Sequence, residues 1–267
     1  MPDDQAMGLR RLFGSARHDT VAVCGSGSAR IAVHLAAALG DAGRRVLILD
    51  RSIGEVATAV GEKARYDLVH VLDGDRRLDE VIVETRKGVA VLPAARGLDR
   101  LAVESADWRE ALRAAVPGLA TRFDVWLVNG LLPGAAPDVP VLLALSPTAR
   151  AITTVYAHIK ALARAQGRHD FAVVVHHASS LAAAQKVFAC VAETAARFLA
   201  AHLELIGFVP KERISAHGKA NDAAVNPFVL LAEALLGHTP APVDARATLP
   251  TWAIPTRMTG MTSWATS

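Results

Sequence analysis

The chain has 267 residues, of which 52 % are hydrophobic, 21 % charged and 5 % aromatic, with a formal net charge of +3. This fits one large α/β domain or two small ones, excludes a disordered chain, and argues against an aromatic-rich β-sandwich because the apolar bulk comes from Ala, Val and Leu. The mild positive charge comes without any Lys/Arg-rich block, so no nucleic-acid partner is expected. Cys24 and Cys190 are the two cysteines, too few for a disulfide framework or a four-ligand zinc site.

The N-terminus, MPDDQAMGLRRLF, lacks the apolar core of a signal peptide, and no run of about 18 uncharged apolar residues suggests a membrane span. A cytoplasmic protein is expected. Residues 3–13 read as a short helix, capped by Asp3 or Asp4 and stopped by Gly14, with Ala6, Leu9 and Phe13 on one face. The pattern fits equally a helix docked on its own body and one offered to a partner. Residues 15–19 read as a linker.

From Thr20 onward, apolar strands and helix-length segments take turns. Strands are expected at 21–23, 45–49, 89–93, 124–128, 139–145, 171–175 and 203–209. Helices are expected at 31–42, 105–116, 148–165, 180–201 and 226–236. Between the second and third strands lies a broken stretch, with an acidic turn at Asp73–Asp79 read as solvated and a hairpin around Arg86–Gly88. The alternation predicts βαβ units in one domain, residues 20–237, with a mostly parallel sheet of about seven strands and helices on both faces. The proline-rich tail, 238–267, reads as extended or disordered; Trp252 and Trp264 are its aromatic residues.

In such sheets ligands sit beyond the C-terminal strand ends, so the first strand-to-helix turn matters most. It reads Cys24-Gly25-Ser26-Gly27-Ser28-Ala29-Arg30. Two readings compete. Gly25-x-Gly27-x-x-Arg30 approximates a dinucleotide fingerprint, and Asp50 closes the second strand where a ribose-binding acid belongs; Arg30 replaces the third glycine. A P-loop instead requires a lysine for the phosphates and a G-K-[ST] ending, and the turn has neither. Cys24 suits a small buried core residue better than a nucleophile, since no base neighbours it. His176 and His177 lie side by side after a strand, so their side chains are expected on opposite faces rather than together on a metal.

Several segments together resemble the MinD/ParA-type flagellar-number regulators, the FlhG/FleN family. Asp4-Gln5-Ala6-Met7-Gly8-Leu9-Arg10 matches that family's D-Q-A-x-x-L-R motif. Residues 37–50 (AALGDAGRRVLILD) and 66–85 (YDLVHVLDGDRRLDEVIVET), together with Val91–Gly97, Ser146–Lys160 and Leu203–Pro210, are similar to further family segments. The likeness covers roughly residues 3–230 and implies a P-loop NTPase fold of the MinD type. The departures from the family cluster at its nucleotide site. Its K-G-G-V-G-K-T loop is here about four residues shorter and without lysine. The acidic end of its second strand is Asp50-Arg51-Ser52, the aspartate that orders Mg²⁺ and water is Asn129, and the asparagine that meets the adenine is His176. Gly25, Gly27, Ser28, Arg30, Asp50, Asn129 and His176 thus outline a degenerate nucleotide site. No catalytic residue in cis and no metal are expected, and ATP with Mg²⁺ enters only if the altered site still binds it.

The resemblance further implies that the N-terminal helix docks on the signal-recognition-particle-type GTPase FlhF and stimulates its GTP hydrolysis. Gln5 would act in trans on the attacking water, Asp4 and Arg10 would fix the helix, and Leu9 and Phe13 would anchor it. A flagellar C-ring protein or a flagellar transcription activator is a further partner class, and partners would recruit the protein to the cell pole or inner membrane face. Family members expose a C-terminal amphipathic helix to membrane. Residues 226–236 have no basic face, which puts direct membrane association in question, and the oligomeric state stays open. The alternatives are a residual MinD-like ATPase and an NAD(P)-binding oxidoreductase using Gly25-x-Gly27 and Asp50.

Overall fold

The structure is a computed structural model, and it describes residues 19–85, 88–131, 139–210, 227–229 and 231. The expected N-terminal helix with Asp4, Gln5, Leu9, Arg10 and Phe13, and the expected tail 238–267, lie outside the described residues.

Short apolar runs buried on both faces form the centre of the molecule, because only a parallel sheet covered on both sides hides every residue of such a strand. These are β1 (Asp19–Gly25), β2 (Val46–Asp50), β4 (Ala90–Pro93), β5 (Val125–Asn129), β6 (Val141–Leu145) and most of β7 (Asp170–His176), while β8 (His202–Val209) lies at the sheet edge and is only partly buried. The short β3 (Val83–Glu84) pairs antiparallel with β4, giving an eight-stranded sheet in the order β3-β4-β2-β5-β1-β6-β7-β8; every other pairing is parallel. Thr85 N–H donates to the Val89 carbonyl, which closes the expected hairpin. Arg86 and Lys87 themselves lie outside the described residues.

The two sheet faces carry different cores. Val21, Val23, Ile48, Leu127 and Leu142 pack under α1 (Ser28–Asp41) through Ile31, Leu35 and Leu39, with Val56 of α2 (Glu55–Ala59) beside them. Phe228 and Leu231 bury themselves in this same layer, and a Cβ on Gly207 of β8 would lie 3.3 Å from Leu231. The opposite parity, including Leu47, Leu49, Trp126, Val128, Leu143 and Val173, faces the other helices. These are α3 (Leu68–Leu72), α4 (Leu78–Val81), α5 (Ala95–Glu104), α6 (Trp108–Ala115), α7 (Pro117–Arg122), α8 (Ala149–Gln166) and α9 (Leu181–Leu199). Among the described residues, no helix is long and apolar enough to cross a membrane.

The broken stretch is ordered by one carboxylate. Asp67 caps α3 by accepting from Val69 N–H at 3.0 Å and also caps α5, accepting from Gly97 N–H at 3.0 Å and Arg96 N–H at 3.3 Å. Leu68 then presses so closely on α5 that a Cβ at Gly97 would lie 2.6 Å from it. The expected helix at 105–116 is therefore only the middle of three, α5, α6 and α7. The acidic turn is also more than solvated: Asp73 pairs with Arg100 at 2.5 Å, and Asp79 with Arg122 at 2.5 Å.

Candidate functional site

Parallel strands place their C-terminal ends along one edge, and the register aligns Gly25 with Ala144, Val23 with Asn129, and Asp50 with Asn129. The expected site residues therefore share one edge of the sheet, as two neighbouring clusters.

The first cluster is the glycine turn. Gly25 leaves β1 at φ 111°, and a Cβ there would stand 2.3 Å from the Ala144 carbonyl oxygen. Ser26 N–H donates to that same oxygen at 3.0 Å. Gly27, at φ 74°, begins α1 without a side-chain cap, and its carbonyl accepts from Arg30 N–H and Ile31 N–H at 3.1 and 3.2 Å. The His176 ring covers Gly27 so closely that a Cβ would lie 3.0 Å from Cε1. His176 Nε2–H donates to the Ser26 carbonyl at 2.6 Å, and its Nδ1 lies 2.6 Å from Nδ1 of His177. The two contacts together assign the tautomers: His176 is protonated on Nε2, and His177 donates from Nδ1. Burial pushes the His176 pKa down to about 4; the bond to Ser26 opposes this, and the neighbouring His177 adds to it.

This pairing corrects the expectation that the two histidines point to opposite faces. β7 ends at His176, and His177 takes a left-handed φ of 60°, so strand alternation no longer applies and the rings meet. Ser28 is buried at the start of α1, whereas Arg30 is exposed on that helix. Cys24 is fully buried, which drives its thiol pKa up to about 12 and leaves no thiolate nucleophile.

The second cluster surrounds Asp50, only 2 % exposed. Oδ1 accepts from Ser52 N–H at 2.9 Å, Ser52 Oγ–H at 2.5 Å and Asn129 Nδ2 at 3.1 Å, while Oδ2 accepts from Val56 N–H at 3.2 Å. Asn129 Nδ2 also reaches Ser52 Oγ at 2.9 Å. Arg51 turns away to pair with Asp99 of α5. The sequence names Ser52 only as part of the altered Asp50-Arg51-Ser52 end and not as a site residue, although Asp-x-Ser is the spacing of an Asx turn.

A Mg²⁺–nucleotide places definite demands on these groups. A phosphate cradle needs inward backbone N–H groups and a cation. Here the Ser26 N–H is already bonded to Ala144, the Ser26 carbonyl faces His176, and no lysine lies in the turn. A metal needs open carboxylate lone pairs; Asp50 Oδ1 already accepts from three donors and Oδ2 from one. Among the described residues, no group of three or more His, Cys, Asp or Glu is placed to hold a metal. The arrangement does not fit that ligand. It also does not fit the dinucleotide reading, because β5 lies between β1 and β2, so the glycine turn and Asp50 are not on adjacent strands as a dinucleotide fold requires.

Three solved structures share the architecture. MinD of Aquifex aeolicus superposes with a TM-score of 0.57 at 18 % identity, over 85 % of this chain and all of MinD. Cobyrinic acid a,c-diamide synthase of Mycobacterium smegmatis, bound to an ATP analogue and magnesium, gives 0.53 at 20 % identity, over 82 % of this chain and 92 % of that one. A plasmid partition protein of Borrelia burgdorferi bound to AMPPNP gives 0.52 at 12 % identity, over 83 % and 99 %. The fold is thus that of the MinD/ParA-type proteins. No protein-family model matches the chain. The antiactivator FleN of Pseudomonas aeruginosa is 31 % identical over 197 residues, covering 70 % of this chain and 70 % of FleN. The chain belongs to the FlhG/FleN family.

Proposed function

We propose that this protein regulates flagellar number and placement by binding other proteins in the cytoplasm, with its own nucleotide site degraded. In this reading residues 1–14 form a docking helix, joined by the linker 15–19 to the α/β body, and stimulate an FlhF-type GTPase. Gln5 orients the attacking water in trans, as other GTPase glutamines do in cis. Asp4 and Arg10 fix the helix, and Leu9 and Phe13 supply its apolar anchor.

The observation that carries the reading is the state of the glycine turn: the Ser26 carbonyl is bonded to His176, and the Ser26 N–H to Ala144. The D-Q-A-x-x-L-R motif is intact in the same chain, so the partner-binding features persist where the nucleotide features do not. FleN's description as an antiactivator supports a flagellar transcription activator as a second partner class. Phe228 and Leu231 are buried in the core, which supports recruitment to membrane or pole through partners rather than through 226–236.

The test is GTP hydrolysis by the cognate FlhF with the full-length protein and with Gln5→Ala. The reading expects stimulation at least ~10-fold that the substitution abolishes, in line with the large effect of completing a GTPase site in trans. Absence of stimulation at saturating protein overturns it.

A further inference from the structure

We propose that the Asn129 amide is a built-in replacement for a divalent cation on Asp50, and that it holds the turn after β2 in one fixed arrangement. This deepens the reading of the nucleotide site given above and rests on it.

Asp50 and Asn129 are register partners on adjacent strands, and their exposures are 2 % and 0 %. A carboxylate this buried persists only if its charge is compensated by a cation or by several donors. The adjacent cation, Arg51, is directed to Asp99, so the compensation near Asp50 comes from hydrogen bonds. The amide NH₂ of Asn129 supplies one of them and reaches on to Ser52, with Nδ2 3.1 Å from Asp50 Oδ1 and 2.9 Å from Ser52 Oγ. Ser52 closes the triangle by donating its hydroxyl and its N–H to the same oxygen.

A cation would sit between these oxygens and draw them together, and a neutral NH₂ with two hydrogens does the same without any ion in solution. The amide has only one useful orientation. With its oxygen turned to Asp50 it would repel the carboxylate, and in the observed orientation Asn129 Oδ1 is buried without a hydrogen-bond partner among the described residues. The outcome is a turn tied at both ends, by Ser52 and by Val56. Between them Ile53 stands 98 % exposed, displayed with no dependence on ligand.

The substitution Asn129→Asp places two carboxylates at hydrogen-bond distance in a buried site. Such a pair must take up a proton or a cation. Thermal unfolding of the full-length protein in EDTA and in millimolar Mg²⁺ reads this directly. The wild type is expected to unfold at the same temperature in both. The Asn129→Asp midpoint is expected to fall by roughly 5 °C in EDTA and to recover in Mg²⁺. A second variant, Asn129→Ala, is read by amide hydrogen exchange in case the charged one fails to fold. Its Ser52 and Val56 amides are expected to exchange at least ~10-fold faster than in the wild type, with no Mg²⁺ dependence. A wild type stabilised by Mg²⁺, an Asn129→Asp protein indifferent to it, or unchanged exchange in Asn129→Ala overturns the proposal. None of these readouts involves FlhF, so a failure of GTPase stimulation counts against the partner reading alone.

Discussion

Replacing Gly25 with alanine is expected to destabilise the fold by roughly 3–5 kcal/mol, from overpacking and an unfavourable backbone together. The added methyl would lie 2.3 Å from the Ala144 carbonyl oxygen. That oxygen cannot retreat, because β6 is held between β1 and β7 and the oxygen accepts the Ser26 N–H. The φ of 111° at Gly25 is itself outside what an L side chain adopts readily. Since domains of this kind are stable by only about 5–15 kcal/mol, this removes a substantial share of the total stability. Gly43→Ala separates the two causes: Gly43 has φ 81° and open space around its Cβ position, so it tests strain without a clash and is expected to cost about 1 kcal/mol. Urea denaturation of both variants checks this. A Gly25→Ala protein as stable as Gly43→Ala would mean that the turn is not packed against β6. The glycine is thus required by the protein's own backbone, with no ligand involved.

The second large effect concerns His176. Exchanging it for leucine keeps an apolar group over Gly27 but removes the donor to the Ser26 carbonyl. An unsatisfied buried acceptor costs about 1–3 kcal/mol at neutral pH. The same residue gives the stability a pH dependence of fixed sign. Its pKa is depressed from 6.5 to about 4 in the folded protein, so between those values the unfolded chain binds the extra proton. The stabilisation is therefore complete above about pH 6.5 and is lost as the pH falls through about 4, a change of roughly 3 kcal/mol. His158 is also lowered by burial and acts in the same direction in both proteins. Urea denaturation at about pH 7 and about pH 4.5 is expected to show the wild type losing more stability than His176→Leu, so the two converge in acid. Parallel pH curves would show that His176 is not buried neutral against the turn.

The parallel sheet was legible because runs such as VLIL before Asp50 and VLLAL are apolar at every position, a pattern that suits burial on both faces. The helices at 149–166 and 181–199 were legible from their length and period. Short elements were not. α3 and α4 have five and four residues, too few to show a helical period, and α3 is placed by Asp67, which also bonds backbone about 30 residues away. α5 was hidden because Gly97 in its first turn reads as a loop glycine; the glycine is there to admit Leu68.

At the site, Gly25, Gly27 and Asp50 were visible as pieces of a nucleotide-binding pattern and Asn129 and His176 as replacements within one, and the structure gathers them at one sheet edge. What those residues do for one another was not visible. The contact of His176 with Ser26 spans 150 positions, and that of Asn129 with Asp50 spans 79. The second exists only because β5 inserts next to β2. Strand parity failed for His177 because one left-handed residue ends the alternation.

Isothermal titration of the full-length protein with Mg²⁺–ATP checks the proposal that the protein's own groups satisfy the glycine turn and Asp50 and that it works without nucleotide. No saturable heat is expected at the highest concentrations reached. A saturable isotherm at one site per chain, weakened by a substitution at Gly27 or Asp50, would contradict it.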